Sequence, residues 1–201
     1  MSRRVGGSGI TDGMVNKFRY FLCIVSTFVA LSAARGTTVI PPTFDQLVSQ
    51  GQVIFQGAVT DVRSEWAGAG TQRHIVTYVT FKVEETLKGN LGAIYSIRLL
   101  GGTVGDETME VVDAPKFNVG DRDILFVENN GSQFIPLVGI GYGRFRVHHE
   151  EGHGRDVVMT NERKPLTDVS QLGRDRHAAT AGRPLSLDEF KSAIRKKLAN
   201  P

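Results

Sequence analysis

The segment at residues 75–89, IVTYVTFKVEETLKG, constrains the fold of this chain more than any other segment. From Ile75 to Val83 every second residue is β-branched or aromatic, and the residues between them include Thr80 and Lys82. This period of two over about nine residues indicates a β-strand with one buried face. The strand ends at a turn signal, KGN at residues 88–90. A strand of this length can serve both halves of a small barrel or sandwich, so the segment predicts an all-β fold.

Shorter segments of similar composition predict about eight strands in all. In the first of them, Gly57 lies in mid-strand and predicts a bend or bulge, the feature with which barrels turn a corner. Four consecutive apolar residues at 124–127 predict a strand that is covered on both faces. Close turns and the lack of crossover helices favour an antiparallel barrel or β-sandwich. The predicted strands are residues 52–65, 75–89, 93–100, 108–112, 121–128, 134–138, 144–149 and 156–160.

Two capping boxes predict a helix at each end of the β domain. Thr43 and Gln46 open a short N-terminal helix that continues to about Ser49, and Ser186 and Glu189 open a second helix. The second helix has one narrow apolar face, which we expect to pack on the domain itself. We therefore predict a β-barrel domain at residues 43–160, a polar linker at 161–184 and a C-terminal amphipathic helix at 185–201.

Residues 1–34 have the features of a secretory signal peptide. Lys17 and Arg19 precede an apolar run of about twelve residues, and small residues ending at Ala34 follow it. The run is shorter than the roughly 20 residues that span a bilayer, so we expect cleavage, the alternative being a retained anchor. Translation could begin at Met1 or at Met14. Cleavage would remove Cys23, the single cysteine, and would exclude disulfides, thiol catalysis and cysteine-ligated zinc. We predict a secreted or periplasmic protein.

The charge balance argues against a nucleic-acid-binding protein. The whole chain has 24 basic and 21 acidic side chains and a pI near 9.1. Beyond residue 34 the basic and acidic side chains are equal in number. Proteins that bind nucleic acid concentrate Lys and Arg on one face, and no such concentration occurs before the C-terminal part of the chain.

Six short motifs follow one another between Leu47 and Val147. They are a strand ending in Trp at 62–66, a Thr-rich strand ending in LKG at 77–89, GG at 101–102, P-x-F-x-x-G at 115–120, LFV at 125–127 and G-x-F-x-V at 143–147. In this order they resemble a family of exported bacterial domains. The resemblance implies an OB-like Greek-key barrel, similar in outline to netrin-like domains and the tissue inhibitors of metalloproteinases. Those inhibitors place an N-terminal cysteine on the protease zinc, a residue that the predicted mature chain lacks.

The letters HEEGH at residues 149–153 match H-E-x-x-H, the motif of zinc proteases. That chemistry needs a helix, on which both histidines reach one metal while the glutamate activates water. Here an alternating strand precedes the motif, and Gly152 and Gly154 disfavour a helix. We therefore expect a solvated hairpin tip without a cofactor. A zinc hydrolase acting through His149, Glu150 and His153 is the least favoured alternative, and His148, His149 and His153 are weak candidates for adventitious metal binding.

Three residues near predicted strand ends are candidates for ligand binding: Trp66, Thr103 and Tyr142. OB-like barrels bind ligands at their open ends, and an aromatic ring there can stack on a sugar or a partner. No serine lies in a nucleophile elbow, so a serine hydrolase has no support. We predict a monomeric, non-catalytic binding domain that contacts an exported protein or polymer through its barrel-end loops. The alternative is a secreted protease inhibitor of netrin-like architecture.

Overall fold

An antiparallel six-stranded sheet organises residues 40–173 and 182–200, the part of the chain that the computed structural model describes. The predicted signal peptide lies outside these residues. The strands are β1 (Val53–Ala67), β2 (His74–Lys88), β3 (Ile94–Leu100), β4 (Gly102–Val104), β5 (Glu107–Met109), β6 (Arg122–Val127), β7 (Arg144–Glu150) and β8 (Arg155–Thr160). Strands β4 and β5 form a separate two-stranded sheet, and the large sheet has the order β3-β2-β1-β6-β7-β8. Helices α1 (Phe44–Gln50) and α2 (Leu187–Ala199) flank it.

The predicted central strand is confirmed as β2, which forms a long antiparallel hairpin with β1. The register of this hairpin shifts between Gln56 and Gly57, so the predicted irregularity at Gly57 is also confirmed. A Cβ at this glycine would lie 2.8 Å from the carbonyl oxygen of Lys82, and only glycine allows that approach. The fold is thus antiparallel and mostly β, as predicted. Within the described residues β3 and β8 are the edges of the sheet, and no pairing between them closes a barrel.

Two predicted strands differ from the structure. Residues 134–138 form no strand and contact β6 through one isolated bridge, between Val127 and Leu137. Pro136 lies inside this segment and has no N–H to donate to a continuous ladder. The strand predicted at residues 108–112 is the shorter β5, which pairs with β4 in the small sheet.

Both faces of the large sheet carry buried residues, which the alternating side chains of β6 show most clearly. Ile124 and Phe126 belong to one cluster of buried residues, and Leu125 and Val127 belong to another. The prediction that this strand is buried on both sides is confirmed. The helix-side core contains Leu47, Val48, Ile54, Phe145, Val158, Leu187, Phe190 and Ile194, and the loop-side core contains Phe55, Val59, Val79, Phe81, Ile97, Leu99 and Phe117.

Both predicted capping boxes are present. Thr43 Oγ1 accepts a hydrogen bond from the Gln46 amide at 3.2 Å, and the Gln46 side chain accepts one from the Thr43 amide at 2.8 Å. Ser186 and Glu189 make the equivalent pair at α2. As expected, α2 packs on its own domain, with the Phe190 ring centred 4.8 Å from the ring of Phe145.

The carboxyl end of α1 is held by a residue of the LKG motif. Lys88 Nζ donates to the carbonyl oxygens of Val48 and Ser49, at 2.8 and 3.1 Å. A cation is favourable there because unpaired carbonyls give the helix end a partial negative charge. The motif therefore joins β2 to α1.

Backbone from neighbouring segments covers the edge strand β8. Leu166 lies in the segment that we predicted as a linker, yet it is buried, and its amide donates to Val158 at 3.1 Å. The Val158 amide in turn donates to the carbonyl of Leu185. Among the described residues, no helix is both long enough and apolar enough to cross a membrane.

Candidate functional site

A pocket of about 560 Å³ lies between strands β1–β3 and residues 101–117, which we call the flap. The flap leaves the sheet at the end of β3, forms the β4–β5 hairpin and returns toward β6. The walls of this flap pocket are mostly apolar, because the loop-side core reaches its surface here. The apolar lining residues include Val62, Val79, Leu99, Met109, Val111, Ala114 and Phe117.

Two hydroxyl groups occupy the wall where β1 and β2 pair. Ser64 and Thr77 are register partners, and their hydroxyl oxygens lie 2.8 Å apart. Thr77 Oγ1 donates to the carbonyl oxygen of Gly101 at 2.6 Å, so Ser64 supplies the hydrogen of the bond between the two hydroxyls. Both groups are therefore already hydrogen-bonded within the protein.

The flap can approach these hydroxyls only because Gly102 has no side chain. Its φ of 134° is one that other residues rarely adopt. A Cβ at this position would collide with the hydroxyl oxygens of Thr77 and Ser64. The flap therefore begins at the GG motif, and the glycine allows its backbone to lie close to the sheet at this point.

A buried arginine holds the other end of the flap. Arg144 has no exposed surface, and its guanidinium makes a bidentate pair with Asp123 at 2.9 and 3.0 Å. It also donates to the carbonyl oxygen of Lys116 and to Asp121, both at 2.7 Å. Its Cζ lies 3.9 Å from the ring centre of Phe117. One side chain thus ties the P-x-F-x-x-G loop to β6 and β7.

The pKa values of Asp123 and Asp121, the two carboxylates of this cluster, are shifted in opposite directions. Burial raises the pKa of Asp123 above its ordinary value, against the opposing effect of the Arg144 guanidinium. For Asp121, burial also raises the pKa, but the Asn118 amide and the guanidiniums of Arg144 and Arg146 together lower it below the ordinary value. The Asp121 carboxylate is accordingly the firmly ionised partner of the cluster.

The mouth of the flap pocket carries an ion pair, and exposed apolar groups lie nearby. Lys116 Nζ lies 3.1 Å from Glu110 Oε1, and both side chains are largely exposed. Val112 lines the pocket and is 85% exposed. Phe134 is 73% exposed, and its carbonyl oxygen accepts the amide of the lining residue Leu100 at 2.7 Å.

The structure does not bring the three predicted binding residues together. Thr103 lines the flap pocket, where its hydroxyl lies 3.0 Å from that of Thr108. Trp66 is half-buried near the β1–β2 turn, and the Arg73 guanidinium covers its ring at 3.9 Å. Tyr142 is half-buried in the turn before β7 and does not line the pocket.

The H-E-x-x-H motif lies on a strand and a turn, as expected, and not on a helix. His148 and His149 are neighbours in β7, so their side chains point to opposite faces. His149 Nδ1 lies 2.8 Å from Asp156 Oδ1, and Glu150 accepts a hydrogen bond from Arg155 at 2.9 Å. This arrangement does not direct His149 and His153 to one metal. Across residues 40–173 and 182–200, no group of three or more His, Cys, Asp and Glu side chains is arranged to hold a metal ion.

Sequence reasoning missed most of the pocket, although the signals were present. Phe117 and the two glycines belong to motifs identified in the sequence, and all of them lie at the flap. Arg144 occupies the variable position of G-x-F-x-V, and an arginine is seldom fully buried. Only the fold shows that these motifs converge on one cavity.

Comparison with known proteins finds no matching family model, no matching curated protein and no matching solved structure. The candidate site is therefore argued from its own geometry.

Proposed function

We propose that this chain is an exported, non-catalytic binding domain whose flap pocket holds an apolar group of a protein partner. The observation that carries the proposal is the flap pocket itself. Its volume of about 560 Å³ falls in the range of 300–1,000 Å³ that is usual for ligand sites.

The chemistry of the lining favours an apolar occupant. The hydroxyls of Ser64 and Thr77 are already bonded within the protein, and among the described residues no buried side-chain N or O atom lacks a partner. A polar group that reached this wall of the cavity would lose hydrogen bonds to water and would meet hydroxyls that are already engaged. An apolar side chain would gain about 1.5–3 kcal/mol from full burial.

The small free energy gained by burying one apolar side chain favours a protein partner over a small ligand. One buried side chain supplies too little free energy for tight binding, so further contacts around the mouth are required. Val112, which lines the pocket, offers exposed apolar surface there. Interfaces commonly combine one buried apolar anchor with weaker surrounding contacts.

The same lining supports a non-catalytic role. Nucleophilic catalysis needs a hydroxyl or thiol within reach of a general base. The described lining of the pocket contains no histidine and no cysteine. Two of its three charged residues, Glu110 and Lys116, pair with each other, and the third is Asp113. These features support binding over turnover.

The relation to OB-like and netrin-like domains is part of this proposal. Strand β1 is long and pairs with both β2 and β6, as the bent first strand of a partly open Greek-key barrel would. Export rests on the signal-like features of residues 1–34, which the described residues do not include.

The test compares the binding of peptides to a variant whose pocket is filled and to a variant whose pocket stays open. Val62 lines the pocket and is half-buried, so Val62→Trp should occupy it, whereas Val119→Trp adds the same ring at an exposed position away from the lining. A library of random peptides is selected on the immobilised purified protein. We expect enriched peptides that share a large apolar residue and bind Val62→Trp about tenfold more weakly, the loss of one side-chain burial. Binding to Val119→Trp should not change.

Two outcomes would contradict the proposal. One is the absence of any enriched peptide, and the other is equal binding to the two tryptophan variants. Inhibition of a secreted metalloprotease that Val62→Trp leaves intact would favour the inhibitor alternative instead. One tightly bound zinc ion per purified chain would favour the zinc-hydrolase alternative.

A further inference from the structure

We propose a second binding site, for an acidic polysaccharide, on the face of strands β1–β3 opposite the flap pocket. Ser64 and Thr77 point into the pocket, so their strand neighbours Arg63 and Tyr78 point to the other face. Arg63 pairs in register with Tyr78, and Tyr78 pairs with Arg98 of β3. An Arg–Tyr–Arg row therefore crosses three adjacent strands.

Two hydroxyl groups and one further cation extend this row along β2. Thr80 follows Tyr78 on the same face, and its hydroxyl lies 2.9 Å from the hydroxyl of Ser96 on β3. Lys82 comes next and is exposed. At about 3.4 Å per residue, the distance along β2 from Tyr78 to Lys82 is about 14 Å. We call the set Arg63, Tyr78, Thr80, Lys82, Ser96 and Arg98 the outer face.

The cations of the outer face are poorly neutralised by the protein. In the described part of the chain neither Arg98 nor Lys82 has a carboxylate within ion-pair distance, 4.0 Å. Arg63 lies 3.5 Å from Glu65, but both side chains are substantially exposed, so this pair is weak. The face can therefore accept an anionic ligand without breaking a strong internal ion pair.

His74 helps to position one cation of the outer face. Arg98 Nη2 lies 3.4 Å from His74 Nε2, and His74 Nδ1 lies 2.8 Å from the carbonyl oxygen of Gln72. Because arginine can only donate, Nε2 is the acceptor of this contact. The contact orients the Arg98 guanidinium.

The mixture of groups suits a polymer of sugar acids. Guanidinium groups pair well with carboxylates, the Tyr78 ring offers an apolar face for a sugar, and the hydroxyls can bond to sugar hydroxyls. Asp61 and Glu65 lie on the same side as Arg63, so the face offers carboxylate acceptors as well as cations. A uronic-acid polysaccharide has hydroxyls that can donate to these carboxylates and carboxylates that can pair with the cations, whereas the backbone of a DNA strand offers acceptors only.

The test measures binding of the purified protein to polygalacturonate, with neutral dextran and an oligothymidylate as comparison polymers. We expect binding to polygalacturonate that weakens as salt is added, because counterions screen exposed charges. Arg98→Gln should weaken it about fivefold, the size of one exposed ion pair, and Tyr78→Ala should weaken it similarly. Lys196→Gln removes one exposed charge from α2 and should leave binding unchanged.

Several results would overturn this proposal: no binding of polygalacturonate, an equal loss in Lys196→Gln, or tighter binding of the oligothymidylate. Arg63→Gln alters an exposed side chain and provides the same test if Arg98→Gln fails to fold. Because the two sites lie on opposite faces, Val62→Trp should leave polysaccharide binding intact, so the two proposals can fail separately.

Discussion

At the scale of single residues, the most consequential side chain is Arg144. A fully buried guanidinium is stable only if its charge and its donors are matched, and Asp121, Asp123 and the Lys116 carbonyl provide that match. The same contacts position the wall of the flap pocket. Stability and pocket shape therefore depend on one residue.

We expect Arg144→Met to lower the free energy of unfolding by about 3–5 kcal/mol, because it leaves the Asp123 carboxylate buried without a counter-charge. Urea denaturation measures this loss. The double variant Arg144→Met, Asp123→Leu should lose less than Arg144→Met alone, because the unpaired charge is gone. If the two single losses simply add, the buried pair is not the cause.

At the scale of elements, α2 depends on the charge of its capping box. Glu189 accepts hydrogen bonds from Arg183 and from the amide and hydroxyl of Ser186. The Arg183 side chain first, and then Ser186, lower the pKa of Glu189 from an ordinary 4.5 to about 2. The helix start is therefore best stabilised when this carboxylate is ionised.

The lowered pKa of Glu189 determines how its contribution to stability changes with pH. The contribution of Glu189 to stability should be complete above pH 4.5 and should disappear as the pH falls toward about 2. Comparing thermal unfolding of the wild type and Glu189→Gln across this range measures it. The two midpoints should differ at neutral pH and converge in acid, and a difference that persists at pH 2 would contradict the assignment.

Elements whose signals are local could be predicted from sequence. The alternation in β2 and the two capping boxes each lie within fifteen residues, and all three are confirmed. The flap pocket could not be predicted, because it forms only where the flap, which begins at Gly102, folds back over Ser64 and Thr77 of the sheet. The burial of Leu166 is likewise a tertiary effect, since its surroundings in sequence are polar.

At the scale of the whole molecule, the sheet must keep its edges from pairing with other copies. The middle of the β3 edge is covered by the side chain of Asn130. Its Oδ1 accepts the Arg98 amide at 3.1 Å, and its Nδ2 donates to the carbonyl of Ser96 at 2.9 Å and to the Tyr95 hydroxyl at 3.1 Å. This amide thus takes the place of a neighbouring strand.

We expect Asn130→Ala to expose the β3 edge, to cost about 1–2 kcal/mol of stability and to cause self-association that increases with concentration. Sedimentation velocity measures the association. Ser132→Ala alters the same loop but not its contact with β3, because the Ser132 hydroxyl donates to Asn129. A monomeric Asn130→Ala variant, or equal association of the two variants, would contradict this role.

The position of α2 has a consequence for biosynthesis. Leu187, Phe190 and Ile194 complete the helix-side core, yet they leave the ribosome only after all eight strands have been made. Until α2 docks, part of the apolar surface around Ile54 and Phe126 lacks its final cover, so the sheet cannot reach its full stability before that point. The order of synthesis thus makes the docking of α2 a late step in the packing of this core.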